Sequence, residues 1–267
     1  MGRLANKVAV VIGAGQSPGE SIGNGRATAV RFLQEGATVL AVDRDLDSAK
    51  ETLKVAESGT GEPFEADVRS VQSLQGAIDF AMANWGRIDI LHYNVGVSVG
   101  AGDGPLDTVT EESFDVVMEI NLRGAVMAAK LVEPIMRSQR SGVVLNVSSM
   151  SAIETSSTNV AYRASKAGLL AFTQQFAMRN AEFGIRANAI LPGRVETAMA
   201  VDTRARLTGT SREEIIAQRK ALIPLHGHVG TGWDVANAAV FLASDEAGFI
   251  TGASLPVDGG ALVKIGW

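Results

Sequence analysis

Short runs of almost entirely apolar, often β-branched residues recur along the chain and alternate with longer segments of helical periodicity. Strands that are apolar on both faces are buried on both faces, which is typical of parallel sheets covered by helices on either side. Right-handed strand–helix–strand crossovers build such a sheet. The pattern therefore predicts an α/β fold, a doubly wound, seven-stranded parallel sheet of the Rossmann type with helices on both faces.

The predicted elements follow one another in regular order. Strands are predicted over 8–12, 38–42, 61–66, 88–94, 143–147, 186–191 and 254–257, and helices over 25–34, 46–57, 71–85, 111–136, 159–182 and 233–242. The long helix 111–136 is predicted to be interrupted near Asn121.

An insertion of about residues 198–230 follows the sixth predicted strand. It is polar and charged, with a helical segment over 212–222. In folds of this class the carboxyl ends of the strands carry the ligand crevice. We therefore predict a mobile substrate lid within a single domain of residues 1–267; the alternative is a passive surface excursion.

The composition excludes several classes of function. A chain of 267 residues suits one large α/β domain. The net charge of −5 argues against a nucleic-acid partner, which a basic patch would mark. The absence of cysteine removes thiolate chemistry and agrees with a reducing compartment. The apolar run 7–12 is too short for a signal peptide or a membrane span. These features predict a cytoplasmic protein without membrane or nucleic-acid partners.

A glycine-rich turn joins the first strand to the first helix, from Gly13 to Gly25. Such a turn lets the backbone approach a pyrophosphate, and the helix N-terminus then supplies N–H groups and the positive end of its dipole. The turn, and Gly13 within it, is predicted to bind a dinucleotide.

Asp43 ends the second predicted strand, 18 positions beyond Gly25. A carboxylate there accepts hydrogen bonds from the ribose diol of adenosine and repels a 2′-phosphate. Asp43 therefore predicts NAD rather than NADP, although Arg44 beside it softens that choice. The cap of the next helix is assigned to Asp45.

Tyr162 and Lys166 lie four positions apart in a predicted helix, so their side chains share one face. Lowering the pKa of a phenol from about 10 to about 7 takes roughly 4 kcal/mol. A fixed cation ~4 Å away at an effective dielectric of about 20 supplies that much. Together the phenol and the ammonium could transfer a proton. The same spacing is common in helices, however, so the pair indicates catalysis only in combination with other motifs.

Other motifs along the chain support a catalytic role for this pair. The chain contains Asp67-Val68, Tyr93-Asn94-Val95-Gly96, Asn121, Ser149, the Tyr162–Lys166 pair, Pro192-Gly193-Arg194-Val195-Glu196-Thr197 and Asp258-Gly259-Gly260. In this order, and with Tyr162 following Ser149 by 13 positions, the chain resembles the short-chain dehydrogenase/reductase family over nearly its whole length.

The resemblance implies a role for each matching residue. Tyr162 would be the general acid/base, with Lys166 lowering its pKa and binding the nicotinamide ribose. Ser149 would hydrogen-bond the substrate oxygen, and Asn121 would hold a water in a proton relay. The cofactor would be bound by residues spread along the chain: Asp67 and Val68 at the adenine, Asn94 and Gly96 at the adenosine side and the ribose, and Pro192, Gly193, Val195 and Thr197 around the nicotinamide.

Two departures from the family pattern concern the cofactor. The first turn is longer than usual, and its Ser21-Ile22 pair is similar to the enoyl-acyl-carrier-protein reductase branch, which implies that both residues touch the cofactor. That branch reduces C=C bonds and spaces its Tyr and Lys more widely, so the spacing here favours C–O chemistry. Tyr93 replaces the first Asn of the family's N-N-A-G strand end and is predicted to alter packing beneath the nicotinamide.

Other polar and aromatic residues are given structural roles. His226 and His228 have no acidic or thiol partner at ligand spacing, so no metal site is predicted. His92 is expected to be a packed, hydrogen-bonded interior residue. Trp267 is expected to pack on a neighbouring subunit. The resemblance implies homo-oligomers, dimers or tetramers, paired through helices 111–136 and 159–182.

The sequence therefore predicts an NAD-dependent oxidoreductase that acts on a small-molecule secondary alcohol or ketone. Two alternatives stay open: an NADPH-dependent carbonyl or 3-oxoacyl reductase, and a dinucleotide-binding sensor without turnover. Alcohols, cyclic ketones, sugars, steroids and diols all remain open as substrates.

Overall fold

Seven parallel strands form one sheet in the computed structural model, which describes residues 2–225 and 229–264. They are β1 (Val8–Ile12), β2 (Thr38–Asp43), β3 (Gly61–Glu65), β4 (Ile90–Tyr93), β5 (Gly142–Val147), β6 (Ile185–Pro192) and β7 (Ser254–Val257). Their order in the sheet is β3-β2-β1-β4-β5-β6-β7. The predicted fold class is confirmed.

Helices connect the strands. They are α1 (Asn24–Gln34), α2 (Leu46–Val55), α3 (Val71–Trp85), α4 (Glu111–Met118), α5 (Gly124–Gln139), α6 (Val160–Asn180), α7 (Asp202–Thr208), α8 (Arg212–Ala221) and α9 (Gly232–Ala243). Most bounds agree with the sequence to within two residues, but α7 was not predicted.

Alternate side chains of each strand enter two separate cores. Val10 and Ile12 of β1 join the core under α3, α5 and α6, whereas Ala9 and Val11 join the core under α1, α2 and α9. Full burial of such an aliphatic side chain contributes about 1.5–3 kcal/mol. Burial on both faces is the reason why the strands lack the polar alternation of a one-sided sheet.

The long helix predicted over 111–136 is interrupted where expected. A π-helical turn, Glu119–Arg123, separates α4 from α5 and contains Asn121. π-turns within α-helices are rare and often lie at functional sites.

The two ends of the insertion predicted over residues 198–230 lie next to each other. The backbone N–H of Glu196 donates to the carbonyl of Gly230 at 2.7 Å, and Glu196 pairs with Thr231 in an isolated parallel bridge. Helix α8 confirms the helical segment predicted over 212–222. The insertion therefore projects from the carboxyl end of β6 without interrupting the sheet.

The direction of winding reverses between β1 and β4, which are neighbours in the sheet. Open α/β sheets bind their ligands at such a switch point, outside the carboxyl ends of the strands. A cavity of about 750 Å³ lies there.

Candidate active site

One cavity gathers most of the residues that the sequence singled out. Its walls include Gly13, Asp43, Asp67, Val68, Asn94, Gly96, Ser149, Tyr162, Lys166, Pro192, Gly193, Val195 and Thr197. They are far apart in the chain, but almost all follow directly on the carboxyl end of a strand. The parallel sheet brings those ends to one edge, which is why the motifs meet.

Helix α6 carries Tyr162 and Lys166. The Nζ of Lys166 lies 5.8 Å from the centroid of the Tyr162 ring and donates to the carbonyl of Val147 at 2.8 Å. Gly96 leaves the room that Lys166 needs, because a Cβ on Gly96 would lie 3.1 Å from Nζ. Burial lowers the pKa of Lys166 to about 7.

Burial also raises the pKa of Tyr162. A hydrogen bond with Ser149 and the positive charge of Arg219 act in the opposite direction. The role of Lys166 in lowering this pKa stays a prediction. The cation beside Tyr162 that the sequence did not predict is Arg219.

Two adjacent serines end β5 and have different partners. Ser149 hydrogen-bonds Tyr162, and its Oγ accepts from the N–H of Ser151 at 3.1 Å. The hydroxyl of Ser148 instead donates to the backbone carbonyl of Lys166 at 2.9 Å. Ser149 is therefore the one that faces the phenol, as the spacing to Tyr162 predicts, and Ser148 ties β5 to α6.

Asn121 holds the loop after β4 against α6. Its Oδ1 accepts from the N–H of Val97 at 2.8 Å, while its Nδ2 donates to the carbonyl of Val97 and to the hydroxyl of Ser165. Both N–H groups of the amide are thus engaged within the protein. A water in the predicted relay would have to bind Asn121 through an oxygen.

Tyr93 supports the π-turn from below. Its hydroxyl donates to the carbonyl of Ile120, and a Cβ on Gly124 would lie 2.3 Å from that hydroxyl oxygen. Burial raises the pKa of Tyr93. Tyr93 does not line the cavity within the described residues. Its hydrogen bond satisfies the carbonyl of Ile120, next to Asn121, and so stabilises the π-helical turn.

The glycine-rich turn forms a cradle at the start of α1. Gly13 has a φ of +83°, and its carbonyl accepts from the Nδ2 of Asn94 at 3.1 Å. A Cβ on Gly25 would lie 1.8 Å from that carbonyl oxygen, so that only glycine fits. In the described part of the chain, the N-cap Gly23 has no side-chain cap and the first turn of α1 has no acidic residue. An open, positively polarised helix end of this kind fits a pyrophosphate.

Asp43 lies at the carboxyl end of β2 and faces the cavity. Its Oδ2 accepts from the N–H of Gly15 at 2.8 Å, and its Oδ1 accepts from the N–H of Asp45 at 3.1 Å. Asp45 caps α2 by accepting from Ser48, as predicted. The two backbone donors fix the orientation of the Asp43 carboxylate and leave lone pairs for a ligand. Arg44 is exposed at the same wall.

Asp67 and Val68 follow β3 and line the same end of the cavity. The Arg69 guanidinium binds the Asp67 carboxylate through Nε and Nη2, and this hydrogen bonding lowers the pKa of Asp67. Asp43 at the end of β2 and Asp67 after β3 thus both contribute to the lining of the cavity.

The end of β6 closes the cavity near Tyr162. A Cβ on Gly193 would lie 2.5 Å from the Cβ of Asp258, so the closing Asp-Gly-Gly segment packs directly on this turn. Thr197 is buried, and its Oγ1 accepts from the N–H of Ala200 at 3.3 Å. Val195 is also buried beside it.

Ser21 and Ile22 lie outside the walls of this cavity. The hydroxyl of Ser21 donates to Glu196 at 2.8 Å and accepts from Arg212 at 3.0 Å. Arg212 also binds Asp202 and Glu20. The enlarged part of the turn therefore contacts the insertion through an ionic network, and cofactor contact by Ser21 and Ile22 stays a prediction.

Comparison with known proteins is consistent with this geometry. The family model described as enoyl-(acyl carrier protein) reductase matches residues 19–261. The chain is 35% identical over 265 residues to a 3-oxoacyl-[acyl-carrier-protein] reductase of Thermotoga maritima, which covers 98% of this chain and all of the relative. The chain belongs to the short-chain dehydrogenase/reductase family.

Further relatives of this dehydrogenase are named for oxidation of alcohols. A cyclohexanol dehydrogenase of a Rhodococcus species is 33% identical over 274 residues, covering 96% of each chain. The solved structure described as a short-chain dehydrogenase/reductase from Burkholderia xenovorans has a TM-score of 0.92 and 40% identity, and covers both chains completely.

The protein is therefore an oxidoreductase that transfers a hydride to or from a nicotinamide cofactor, NAD or NADP. The sensor without turnover is not supported, since Ser149, Tyr162 and Lys166 meet in the cavity.

Two residues of the dehydrogenase site escaped the sequence argument. Asp103 is buried, and its carboxylate accepts from the N–H groups of Ala161 and Tyr162 at the start of α6. It caps that helix from a distant loop, so no local capping pattern could reveal it. Arg219 lies on α8 of the insertion, where helical charge spacing looks like an ordinary solvated face.

The remaining expectations concern metal binding, membrane spans and three residues outside the described ranges. Within residues 2–225 and 229–264, no group of three or more His, Asp or Glu side chains could hold a metal ion. No helix in those ranges is long and apolar enough to cross a membrane. His226, His228 and Trp267 lie outside the described residues.

His92 agrees with only part of its expected role as a packed, hydrogen-bonded interior residue. It is fully buried and packs edge-on against Phe32, with ring centroids 5.9 Å apart. Neither ring nitrogen has a hydrogen-bond partner among the described residues, so the expected hydrogen bond is wrong. Burial holds the imidazole neutral and lowers its pKa to about 3.

Proposed function

We propose that this dehydrogenase is an NAD-dependent alcohol dehydrogenase and ketone reductase in which Tyr162 is the general acid/base. The observation that carries the proposal is the meeting of three features in one cavity: the Tyr162 phenol with Ser149 as its partner, the buried Lys166, and the glycine cradle at α1. Each has a separate chemical use, and their convergence is what a hydride-transfer site requires.

The chain's own residues fit a dinucleotide along the cavity. We propose that Gly13 and the open N-terminus of α1 bind the pyrophosphate. The remaining contacts are assigned to Ser21, Ile22, Asp43, Asp67, Val68, Asn94, Gly96, Tyr162, Lys166, Pro192, Gly193, Val195 and Thr197. When bound, the nicotinamide supplies the hydride donor or acceptor.

Tyr162 handles the proton. In oxidation, its phenolate oxygen would take the hydroxyl proton of the alcohol; in reduction, its hydroxyl would give that proton to the carbonyl oxygen. Ser149 would donate a hydrogen bond to the same substrate oxygen. Because burial raises the pKa of Tyr162, the phenol is the resting form at neutral pH and is suited to reduction. Oxidation should therefore speed up as pH rises.

The choice of NAD rests on Asp43. Its carboxylate is fixed by two backbone N–H groups and faces the end of the cavity where the adenosine ribose would bind. A negative charge there disfavours a 2′-phosphate. Two observations favour the second candidate, an NADPH-dependent carbonyl or 3-oxoacyl reductase. They are Arg44 at the same wall and the similarity to the 3-oxoacyl-[acyl-carrier-protein] reductase of Thermotoga maritima.

Absorbance at 340 nm tests both points. Purified protein is assayed with NAD and a panel of secondary alcohols, and with NADH or NADPH and the matching ketones. We expect turnover in both directions and a higher kcat/KM with NAD than with NADP. A preference for NADPH would favour the second candidate, and absence of turnover with every pair would contradict the proposal.

Three further assignments belong to the same proposal. The insertion of residues 198–230 acts as a lid over the substrate end, because its residues Met199, Thr203 and Leu207 line the cavity. The protein forms a dimer or tetramer through the faces of α4, α5 and α6. The cysteine-free composition supports the cytoplasm as its location. Gel filtration with light scattering measures the oligomeric state.

A further inference from the structure

Arg219 lines the cavity that contains Tyr162 and has no carboxylate partner among the described residues. It lies on α8, lines the cavity with Tyr162, and its Nη2 donates to the carbonyl of Val195 at 3.1 Å. Its Nε is buried and has no hydrogen-bond partner among the described residues. A buried N–H of a charged group that stays unpaired is costly, since the group loses water and gains nothing in return.

Two other arginines near this end are paired with carboxylates. Arg194 binds Glu154 at 2.8 Å, and Arg212 lies within 4 Å of three carboxylates, those of Glu20, Glu196 and Asp202. Within residues 2–225 and 229–264, Arg219 forms no ion pair of this kind. Arg219 thus lacks the carboxylate partner that Arg194 and Arg212 have.

The surroundings of Arg219 add positive charge rather than removing it. Arg204 is exposed on α7 and also lines the cavity. Burial, together with repulsion from Arg204 and Arg194, lowers the pKa of Arg219 to about 10. At neutral pH the guanidinium is still protonated, so an uncompensated cation is present whenever the enzyme works.

Apolar side chains line the cavity as well. Val99, Met199 and Leu207 are among them and are 40–55% exposed in the structure. Apolar side chains together with a buried guanidinium that lacks a carboxylate partner fit a ligand with a hydrocarbon body and one negative group. Guanidinium groups bind planar and tetrahedral oxyanions with paired N–H donors.

We propose that the physiological substrate is a secondary alcohol or ketone that carries an oxyanion, such as a carboxylate, sulfonate or phosphate, and that Arg219 binds this group with Arg204 in support. The inference rests on the proposed function, because it places the oxyanion in the cavity where Tyr162 acts on the hydroxyl. It narrows the substrate class that the sequence left open.

The test compares hydroxy acids with their own methyl esters, in which one added methyl group removes the negative charge. Lactate, 3-hydroxybutyrate and 3-(1-hydroxyethyl)benzoate place the carboxylate at increasing distance from the hydroxyl. With NAD, we expect at least one acid to exceed its ester about tenfold in kcat/KM. In Arg219→Gln the acid should lose about 10²-fold more than the ester, mainly through KM, equivalent to about 3 kcal/mol at 1.4 kcal/mol per tenfold.

Two matched variants control for charge and for geometry. Lys220→Gln removes the same charge from the next residue of α8, which is exposed, and should leave the ratio of acid to ester unchanged. Arg219→Lys keeps the charge but loses the Nε donor, and should recover part of the preference. Titration calorimetry with benzoate and methanesulfonate gives a readout independent of turnover, with binding expected in the wild type and lost in Arg219→Gln.

The inference would be overturned if the wild type oxidised esters as well as acids and calorimetry showed no oxyanion binding. It would also be overturned if Arg219→Gln lowered kcat/KM equally for acid and ester. If Arg219→Gln changed only the KM for NAD, Arg219 would be a cofactor ligand instead. NADH formation from esters alone would reject the oxyanion and leave the dehydrogenase intact. Oxyanion binding without NADH from any alcohol would count against the proposed function instead.

Discussion

Among single residues, Tyr162 and Lys166 show how burial changes the meaning of a motif. In water a lysine would keep its charge far above neutral pH and would help a neighbouring phenol to ionise. In the cavity the lysine has a pKa of about 7, whereas the pKa of the phenol is raised. The pKa of Tyr162 therefore reflects burial, which raises it, and the hydrogen bond with Ser149 and the positive charge of Arg219, which lower it.

Replacement of Tyr162 tests its role directly. Tyr162→Phe should lower kcat at least 10²-fold, since general acid–base catalysis contributes about 10²–10⁴. The Kd for NAD, measured by fluorescence titration, should change less than about threefold, because the ring remains. Tyr93→Phe is the matched control: it removes the only other phenol hydroxyl of the chain, from a structural site. An unaltered kcat in Tyr162→Phe would exclude the mechanism.

Asp43 provides the second test among single residues. Asp43→Ala should raise the KM for NAD about tenfold or more and increase the ratio of kcat/KM for NADP to that for NAD, because repulsion of the 2′-phosphate is removed. Asp47→Ala, an equal change of charge on the exposed face of α2, should leave the ratio as it was. If both variants behave alike, the carboxylate of Asp43 does not select the cofactor.

Among the secondary-structure elements, sequence patterns predicted what depends on local chemistry. Asn121 indicated the interruption of the long helix, and Asp45 the cap of α2. The start of α6 could not be predicted in this way, since its cap is Asp103, which lies 58 positions before Ala161. Sequence spacing carries no information about a contact that only the folded sheet creates.

His92 of β4 is expected to make the stability of the protein depend on pH. The imidazole has a folded pKa of about 3 and an unfolded pKa near ~6.5, so the folded state favours the neutral form. Its contribution to stability is complete above the unfolded value and is lost as pH falls from about 6.5 towards 3, with a slope of up to ~1.4 kcal/mol per pH unit.

Urea unfolding of wild type and His92→Leu at pH 7, 6 and 5 measures this contribution. The difference in free energy of unfolding should shift in favour of the variant as pH falls. Carboxylates such as Asp67 and Asp245, which also titrate in acid, cancel in the difference between the two proteins. A difference that does not change with pH would show that His92 does not become protonated on unfolding.

At the scale of the whole molecule, the parallel sheet explains why so much of the site could be predicted. Once the order of strands is known, residues that follow strand ends must meet at one edge, and Gly13, Asp43, Asn94 and Ser149 do so. The insertion could not be derived in the same way. Its helix α7 and the orientation of Arg219 depend on packing between segments with no periodic pattern.

Arg212 links the insertion to the glycine-rich turn. It binds Asp202 of the insertion, Glu20 and Ser21 of the turn, and Glu196. Arg212→Gln leaves the buried Asp202 without this partner and should loosen the segment. We expect faster cleavage between residues 198 and 225 in limited proteolysis and a KM for substrate that rises several-fold. Lys220→Gln is the control, and equal cleavage of both variants would argue against this link.

The bridge between Glu196 and Thr231 has a consequence for how such enzymes diversify. Because the chain departs and returns through neighbouring positions, the intervening stretch can be exchanged for one of another length while the nucleotide cradle keeps its shape. A graft of the corresponding stretch from a relative, joined at these two positions, should transfer the donor's selectivity onto this scaffold.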